Sequence, residues 1–420
     1  MKFTRVFTFM ALAGLASSAF ATNGDNLIGL GVQSRALGGT GTAAFFGSEN
    51  TLMNPALLGK MKGTEFAIGG TFFMPDVKAT TDVSGVLGSA TSDADLSVIP
   101  EVSLATRINE NLVFGLGMFG TAGMGVDYRG NPALFDGYTN LQLMKFVPSL
   151  TYNSGPFGVG AAVVIQYGAL DINYVDPFGD TVGNGTSSDL QLGFNLGGYY
   201  DITPDFTVGL AYQSEIGMEY DGQITGAADG FGIGPNGMGT ITSDKLAQPA
   251  EMSVGVAYTA GPWMFTGDYK RVMWSDADGY KEFNWDDQDV FGLGAKYSSN
   301  GWWIGFGYNY GKDPIDVLPS AQSMTGYSNQ AVNMFNNHFF PAVVESHLTV
   351  GGGFALGEHT MLEMALVYAD DVSKTVDTGT ITSVLATQPT PNPAALPVNA
   401  TSHTVDHSQL GFTISVRMNF

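Results

Sequence analysis

The sequence predicts an all-β protein: a fourteen-stranded antiparallel transmembrane β-barrel with an N-terminal hatch plugging the lumen. Three observations lead there. Apolar and polar residues alternate with a period of two in one segment after another, short turns alternate with long polar loops, and the chain opens on an export leader.

The alternation is clearest in two places. From Phe206 onward, Val208, Leu210, Tyr212, Ile216, Met218 and Tyr220 fall on one parity, and Thr207, Gly209, Gln213, Glu215 and Glu219 on the other. At the carboxyl end Leu410, Phe412, Ile414, Val416, Met418 and Phe420 alternate with Gln409, Gly411, Thr413, Ser415, Arg417 and Asn419. The rhythm recurs in 157–167, 190–200 and 362–368. A strand turns successive side chains to opposite faces, so one face meets lipid and the other a polar lumen. A soluble sandwich alternates too, but its strands run to about 5–6 residues, shorter than these.

The connections carry a second alternation. Short turns fall at 109–111, 153–156, 203–205, 260–262, 299–301 and 357–359. Between them lie longer segments at 81–92, 129–138, 175–188, 222–248, 275–287, 311–344 and 377–405. Short periplasmic turns and long outer loops are the pattern of bacterial barrels. Seven loops and six turns join fourteen strands, so the chain leaves on the side where it entered.

The leader sets the compartment. Lys2 and Arg5 precede the apolar run Val6 to Leu15, and Ala19-Phe20-Ala21 places small residues where a signal peptidase cuts, so 1–21 reads as a signal peptide and Thr22 as the first mature residue. That run is too short to span a bilayer as a helix. The expected location is the cell outer membrane of a Gram-negative bacterium, among its lipid and lipopolysaccharide.

Composition excludes several functions. The precursor has 17 Lys and Arg against 39 Asp and Glu; losing Lys2 and Arg5 with the leader leaves 15 against 39, a net charge of −24. So acidic a chain is a poor ligand for nucleic acid, whose phosphates call for clustered cations. Without cysteine there is neither disulfide nor thiolate chemistry. Nothing calls for a cofactor or a metal. Gly115-Leu116-Gly117-Met118-Phe119-Gly120 spells G-x-G-x-x-G inside a strand, where no helix follows to hold a phosphate. His403 and His407 read as solvated loop residues, and Asp276, Asp278, Asp286, Asp287 and Asp289 as solvated acids that miss a calcium-loop pattern.

Residues 22–63 do not follow the strand rhythm. They are rich in Gly and small residues and broken by Asn54-Pro55. A barrel of this size encloses more space than its own side chains fill, so this segment is expected inside the lumen, with the barrel beginning at 64.

Ser34-Arg35-Ala36-Leu37-Gly38-Gly39-Thr40-Gly41 followed by Asn54-Pro55-Ala56 resembles the hatch of the FadL/TodX outer-membrane transporters. The stretches 248–258 and 307–315 resemble the same family, and Phe420 resembles the terminal residue read by the barrel-assembly machinery. The resemblance covers essentially the whole mature chain. It implies a monomer and passive transport of long-chain fatty acids or hydrocarbons. It also implies a kink in the third strand that opens a lateral path. The sequence offers a basis for that kink in Gly120, Gly123 and Gly125, because glycine within a strand favours bulges and broken pairing.

Parity turns Lys145, Lys270, Lys296 and Arg417 inward with Asp268, Glu215, Glu219 and Glu363. One reading is a mutually neutralising lumen. The other has Lys145 or Lys270 meeting a substrate carboxylate in a sheltered, charge-assisted bond. Against a carboxylate, 168–173 carries Asp171 and no base where fatty-acid members of the family carry basic residues, and the loop after that strand is short. Arg271 shares parity with lipid-facing Phe265 and Tyr269, so it should sit at the outer interface. In 311–344, Met324, Tyr327, Met334, Phe335, Phe339 and Phe340 form an apolar cluster expected at the mouth, read either as the first landing place for a hydrophobic solute or as loops packed on each other to roof the barrel.

A general porin or an adhesin barrel is the alternative reading, and the inner segment argues against an open pore. An enzyme is not expected: no strand presents Ser, His and an acid together at matching parity. Deleting Phe420 should sharply reduce the heat-modifiable, folded protein in outer membranes. Wild-type amounts after that deletion would contradict the assembly role.

Overall fold

The computed structural model describes residues 22–83, 86–176, 179–236, 239, 241–320, 324–379, 381 and 402–420. The leader and most of 377–405 therefore lie outside the described residues. Fourteen strands of 8–20 residues form one ring: β1 Thr64–Val83, β2 Ser97–Arg107, β3 Leu112–Asp127, β4 Tyr138–Ser154, β5 Phe157–Val175, β6 Ser187–Thr203, β7 Phe206–Gln213, β8 Glu251–Ala260, β9 Trp263–Val272, β10 Gln288–Ser299, β11 Trp302–Gly311, β12 Ser346–Ala355, β13 Thr360–Asp377 and β14 Ser402–Asn419. Each pairs antiparallel with its neighbours, and β14 closes on β1 from His403↔Thr81 to Asn419↔Glu65. Closure removes the free edge that a bilayer would leave unpaired.

The period of two becomes an outside and an inside. On β6, Leu190, Leu192, Phe194 and Leu196 are exposed while Asn195 is buried. On β14, Thr413, Ser415 and Arg417 are buried and Leu410 is exposed. At the short-turn end of β9–β11 the rings of Trp263, Tyr297 and Trp302 lie 5.1 and 5.6 Å apart in sequence, an aromatic girdle at one membrane interface. All six expected short turns join consecutive strands.

The inner segment holds two short α-helices, α1 Gly31–Ala36 and α2 Asn50–Met53, and beyond the opposite end of the barrel two more, α3 Ile224–Gly230 and α4 Met324–Phe339, occupy the long loops among the described residues. The loops pack into a roof. Trp274, Tyr280 and Trp285 pack with inclined, edge-on rings, centroids 4.6–4.9 Å apart, and Phe335 lies 4.9 Å from Phe283 and 5.0 Å from Phe339.

Three expectations need correction. β7 ends at Gln213; beyond it Ile216, Met218 and Tyr220 are buried in the roof and Glu215 and Glu219 are exposed, so those acids do not face the lumen. The cause is a change of parity where Ser214 N–H donates to Phe194 O at 2.9 Å and the chain bends inward. His403 and His407 are not solvated: β14 starts at Ser402 and buries both. Phe335, Phe339 and Phe340 are buried rather than exposed, because α4 turns its apolar face into the roof; the side chains of Met324 and Tyr327 lie outside the described residues.

Leu196 stands near the middle of β6 on the outward face. Leu196→Arg should destabilise the barrel by about 2–4 kcal/mol, read as a lowered denaturant midpoint in lipid vesicles.

Candidate functional site

The inner segment, 22–63, touches the inward side of strands around the ring, and local chemistry fixes its shape. Gly38 and Gly39 adopt φ +69° and +77°, which reverses the chain after α1 and lets Gly39 N–H donate to Ser34 O at 2.8 Å. Asn54 Oδ1 accepts from Ala56 N–H at 3.1 Å and so caps the short 3-10 helix Pro55–Lys60, with Pro at its first position. Asn54 Nδ2 also donates to Thr42 O at 2.7 Å and Gly198 O at 3.2 Å. The wall makes room with glycine. A Cβ on Gly197 would lie 2.0 Å from Asn54 Oδ1, and one on Gly160 2.6 Å from the Pro55 carbonyl carbon.

Buried charges tie this segment to the strands. Arg417 on β14 meets Glu49 of the inner segment at 2.8 Å and Glu363 of β13 at 3.0 Å, and also pairs with Glu65 of β1. Arg35 pairs with Glu101 of β2. Asp268 of β9 accepts from Gly41 and Thr42 N–H, each at 2.8 Å. Lys296 donates to Gln33 Oε1 at 2.7 Å. Lys296, Arg417, Asp268 and Glu363 thus lie inside as their parity requires. Ser34 is buried, with its carbonyl in the turn after α1.

The third strand is interrupted. Its pairing with β2 ends at Glu101↔Phe119, next to Pro100, which has no N–H to give to a ladder. The loop rejoins β3 only where Asp93 N–H donates to Asp127 O at 2.8 Å. On the β4 side the register shifts between Gly120 and Ala122, which makes Thr121 a bulge. Pairing with β4 places Gly120, Gly123 and Gly125 opposite Met144, Gln142 and Asn140. Into the opening between β2 and β3 comes the inner segment: Asn26 bridges Ala122, and Gly123 N–H donates to Asp25 O at 3.1 Å. Asp25 Oδ2 accepts from Tyr280 Oη at 2.6 Å and Gln248 Nε2 at 2.8 Å, both from the roof. Burial pushes the Asp25 carboxyl up to about 6.

Residues 24–27 separate two cavities. The larger, about 120 Å³, is lined by Asn26, Leu27, Leu30, Thr121, Lys145 and Lys270 among others. The smaller, about 20 Å³, lies behind the glycines of β3 and touches Thr22, Gly24, Gly123, Gly125 and His407. The two lysines differ. Lys270 faces Glu251 at 3.2 Å, and Glu251 also accepts from Asn26 at 3.2 Å. Lys145 is 2% exposed and donates to Gln213 Oε1 at 3.2 Å. Leu30, Leu52 and Val290 of the cavity wall belong to one apolar cluster with Phe335, Phe339 and Phe340.

Elsewhere, Arg271 is outward and 40% exposed, held by Asp287 at 3.0 Å and Asp289 at 2.9 Å. His403 accepts or donates across 3.1 Å to His338 of α4, so two of the buried histidines dock the roof on β14. Sequence reasoning missed Pro100, Asp25 and Asn26 as parts of the interruption; the proline inside a strand was the available sign.

Residues 9–369 match the family model described as outer membrane protein transport protein (OMPP1/FadL/TodX). Over 237 residues the chain is 27% identical to the long-chain fatty acid transport protein of Escherichia coli, covering 49% of this chain and 52% of that one. The chain spans about half the length of the curated relatives it matches. In fold it is similar to a FadL homologue of Pseudomonas aeruginosa, with TM-score 0.69 at 15% identity over 95% of this chain and 100% of that one. It is likewise similar to the toluene transporter TodX of Pseudomonas putida, with TM-score 0.66 at 18% identity over 95% and 100%.

Arg417→Met should lower unfolding stability by about 3–5 kcal/mol, because Glu49, Glu65 and Glu363 would lose their shared cation. Glu49→Gln should cost less, since it leaves one cation with two acids; denaturant midpoints of the two variants check the order.

Proposed function

Because the chain belongs to the OMPP1/FadL/TodX family of outer membrane transport proteins, we propose that it carries hydrophobic compounds, long-chain fatty acids or aromatic and aliphatic hydrocarbons, passively across that membrane. The observation that carries this reading is the interrupted β2–β3 ladder, bridged by Asp25 and Asn26. Residues 22–63 act as a hatch, with Ser34, Arg35, Asn54, Pro55 and Ala56 shaping it, and the protein works as a channel rather than an enzyme. Solute passes the aromatic roof at Phe335, Phe339 and Phe340 and rests in the larger cavity beside Lys145 and Lys270. It leaves sideways where Gly120, Gly123 and Gly125 line β3.

The driving force needs no energy source. A solute entering the bilayer core gains about 0.8 kcal/mol per CH₂ buried, whereas an unpaired backbone group in that core costs several. The window must therefore stay bridged at rest and open only by a small shift of residues 24–27. A general porin is a poorer reading, because the inner segment contacts strands around the whole ring.

Regular pairing should close the lateral route. The variant deletes the bulged Thr121 and carries Gly123→Val and Gly125→Thr, since β-branched residues favour unbroken strands. Gly120 is left alone, because a Cβ there would meet Ile99 at 2.5 Å. Uptake of labelled oleate and toluene should fall at least tenfold in folded protein, and wild-type uptake should survive loss of energy coupling. Full uptake through a regular third strand would redirect the path through the hatch.

A further inference from the structure

The larger cavity is more polar than a hydrocarbon needs. Thr121, Asn195, Asp268 and Asn309 all line it, and each has a buried oxygen with no hydrogen-bond partner among the described residues: Thr121 Oγ1, Asn195 Oδ1, Asp268 Oδ1 and Asn309 Oδ1. In three of the four residues the other polar atom of the side chain has a partner. Asn195 Nδ2 donates to Leu52 O, Asn309 Nδ2 donates to Gly38 O at 3.1 Å, and Asp268 Oδ2 takes the two N–H bonds from Gly41 and Thr42. The residues that line the cavity thus carry several oxygens that still lack a partner among the described residues.

Charge, by contrast, is already matched. Lys145 and Lys270 stand against Glu251 and Asp268 in the same lining. Lys270 is occupied by Glu251. Lys145 keeps donor capacity: an ammonium has three N–H groups, and its hydrogen bond to Gln213 uses one.

We propose that this cavity binds the hydroxyl group of an uncharged hydrophobic molecule, a phenol or a long-chain alcohol. The proposal rests on the transport reading above and names the solute's polar group. A hydroxyl accepts from Lys145 and at the same time donates to one of the unpaired oxygens. A carboxylate only accepts, so it leaves those oxygens unpaired and adds a third negative charge to a balanced set. A hydrocarbon does neither. The apolar body of the solute lies against Leu27, Leu30, Leu52 and Val290, which line the same space. A site built to hydrogen-bond a hydroxyl rejects the analogue that lacks it far more strongly than an apolar pocket rejects an added hydroxyl.

Three probes of one shape test this: p-cresol, toluene and p-toluate. Equilibrium dialysis of the purified, detergent-solubilised protein, with binding to micelles alone subtracted, should show p-cresol bound at least tenfold more tightly than the other two. Asn309→Leu and the near-isosteric Thr121→Val, each checked for heat-modifiable folding, should shrink that preference at least threefold. Toluene bound as tightly as p-cresol overturns the proposal in favour of an apolar chamber. Tightest binding of p-toluate overturns it in favour of a carboxylate receptor at Lys145. If no probe binds while cells still take up labelled oleate, the hydroxyl site is wrong and the transport reading stands; if uptake is absent as well, both fall.

Discussion

Inside a bilayer there is no water to satisfy a free backbone amide, and each one left unpaired costs several kcal/mol. The fourteen-stranded ring answers this by closing β14 on β1, and the same constraint governs the one place where the wall is broken. Between Phe119 and Asp127 the third strand has no partner in β2; there Asn26 bridges Ala122 and the Gly123 N–H is met by the Asp25 carbonyl. A break in a membrane wall needs a substitute strand, and the inner segment supplies one. The opening and the segment that fills it are therefore a single structural solution.

The segment must be held in place, and burial makes charge an effective way of doing so. Arg417 and Arg35 are buried, with carboxylates from both the wall and the inner segment around the former. A buried ion pair adds little net stability over an apolar pair, but losing one member is costly. Such pairs fix position more than they add stability. By contrast, residues 24–27 are held by Asp25 and Asn26 through hydrogen bonds, rather than ion pairs, to the roof, the glycine strand and Glu251. Firm anchors lie along most of the segment and weaker ones at the window.

Inward glycines serve the same arrangement. The chain has 57 glycines, and several stand where the inner segment touches the wall. A Cβ on Gly294 would be 2.6 Å from the Leu37 Cβ, and one on Gly307 2.1 Å from the Gly38 nitrogen. On the wall these residues do more than permit curvature; they are the recesses that accept a second layer of chain. Their number is the cost of putting backbone against backbone inside a barrel.

The sequence by itself determined the strands, the turns and the side of the wall each residue faces, because a period of two is a local property and lipid enforces it along the whole span. It placed Lys145, Lys270, Lys296 and Arg417 inside and Arg271 at a rim, and it marked the glycines of the third strand. It erred where parity changes without a local sign: at Ser214, where the chain turns into the roof, and at His403, where a strand runs further than its polar composition suggests. Only the tertiary structure decided that Phe335, Phe339 and Phe340 are buried, that Glu251 rather than a ligand occupies Lys270, and that Asp25 and Asn26 complete the third strand. Those facts depend on contacts between residues on different strands and loops, from Lys270 with Glu251 on the neighbouring strand to Tyr280 with Asp25, 255 positions apart. No period or motif encodes which distant partner fills a buried bond, since that choice is made by packing after the ring has closed.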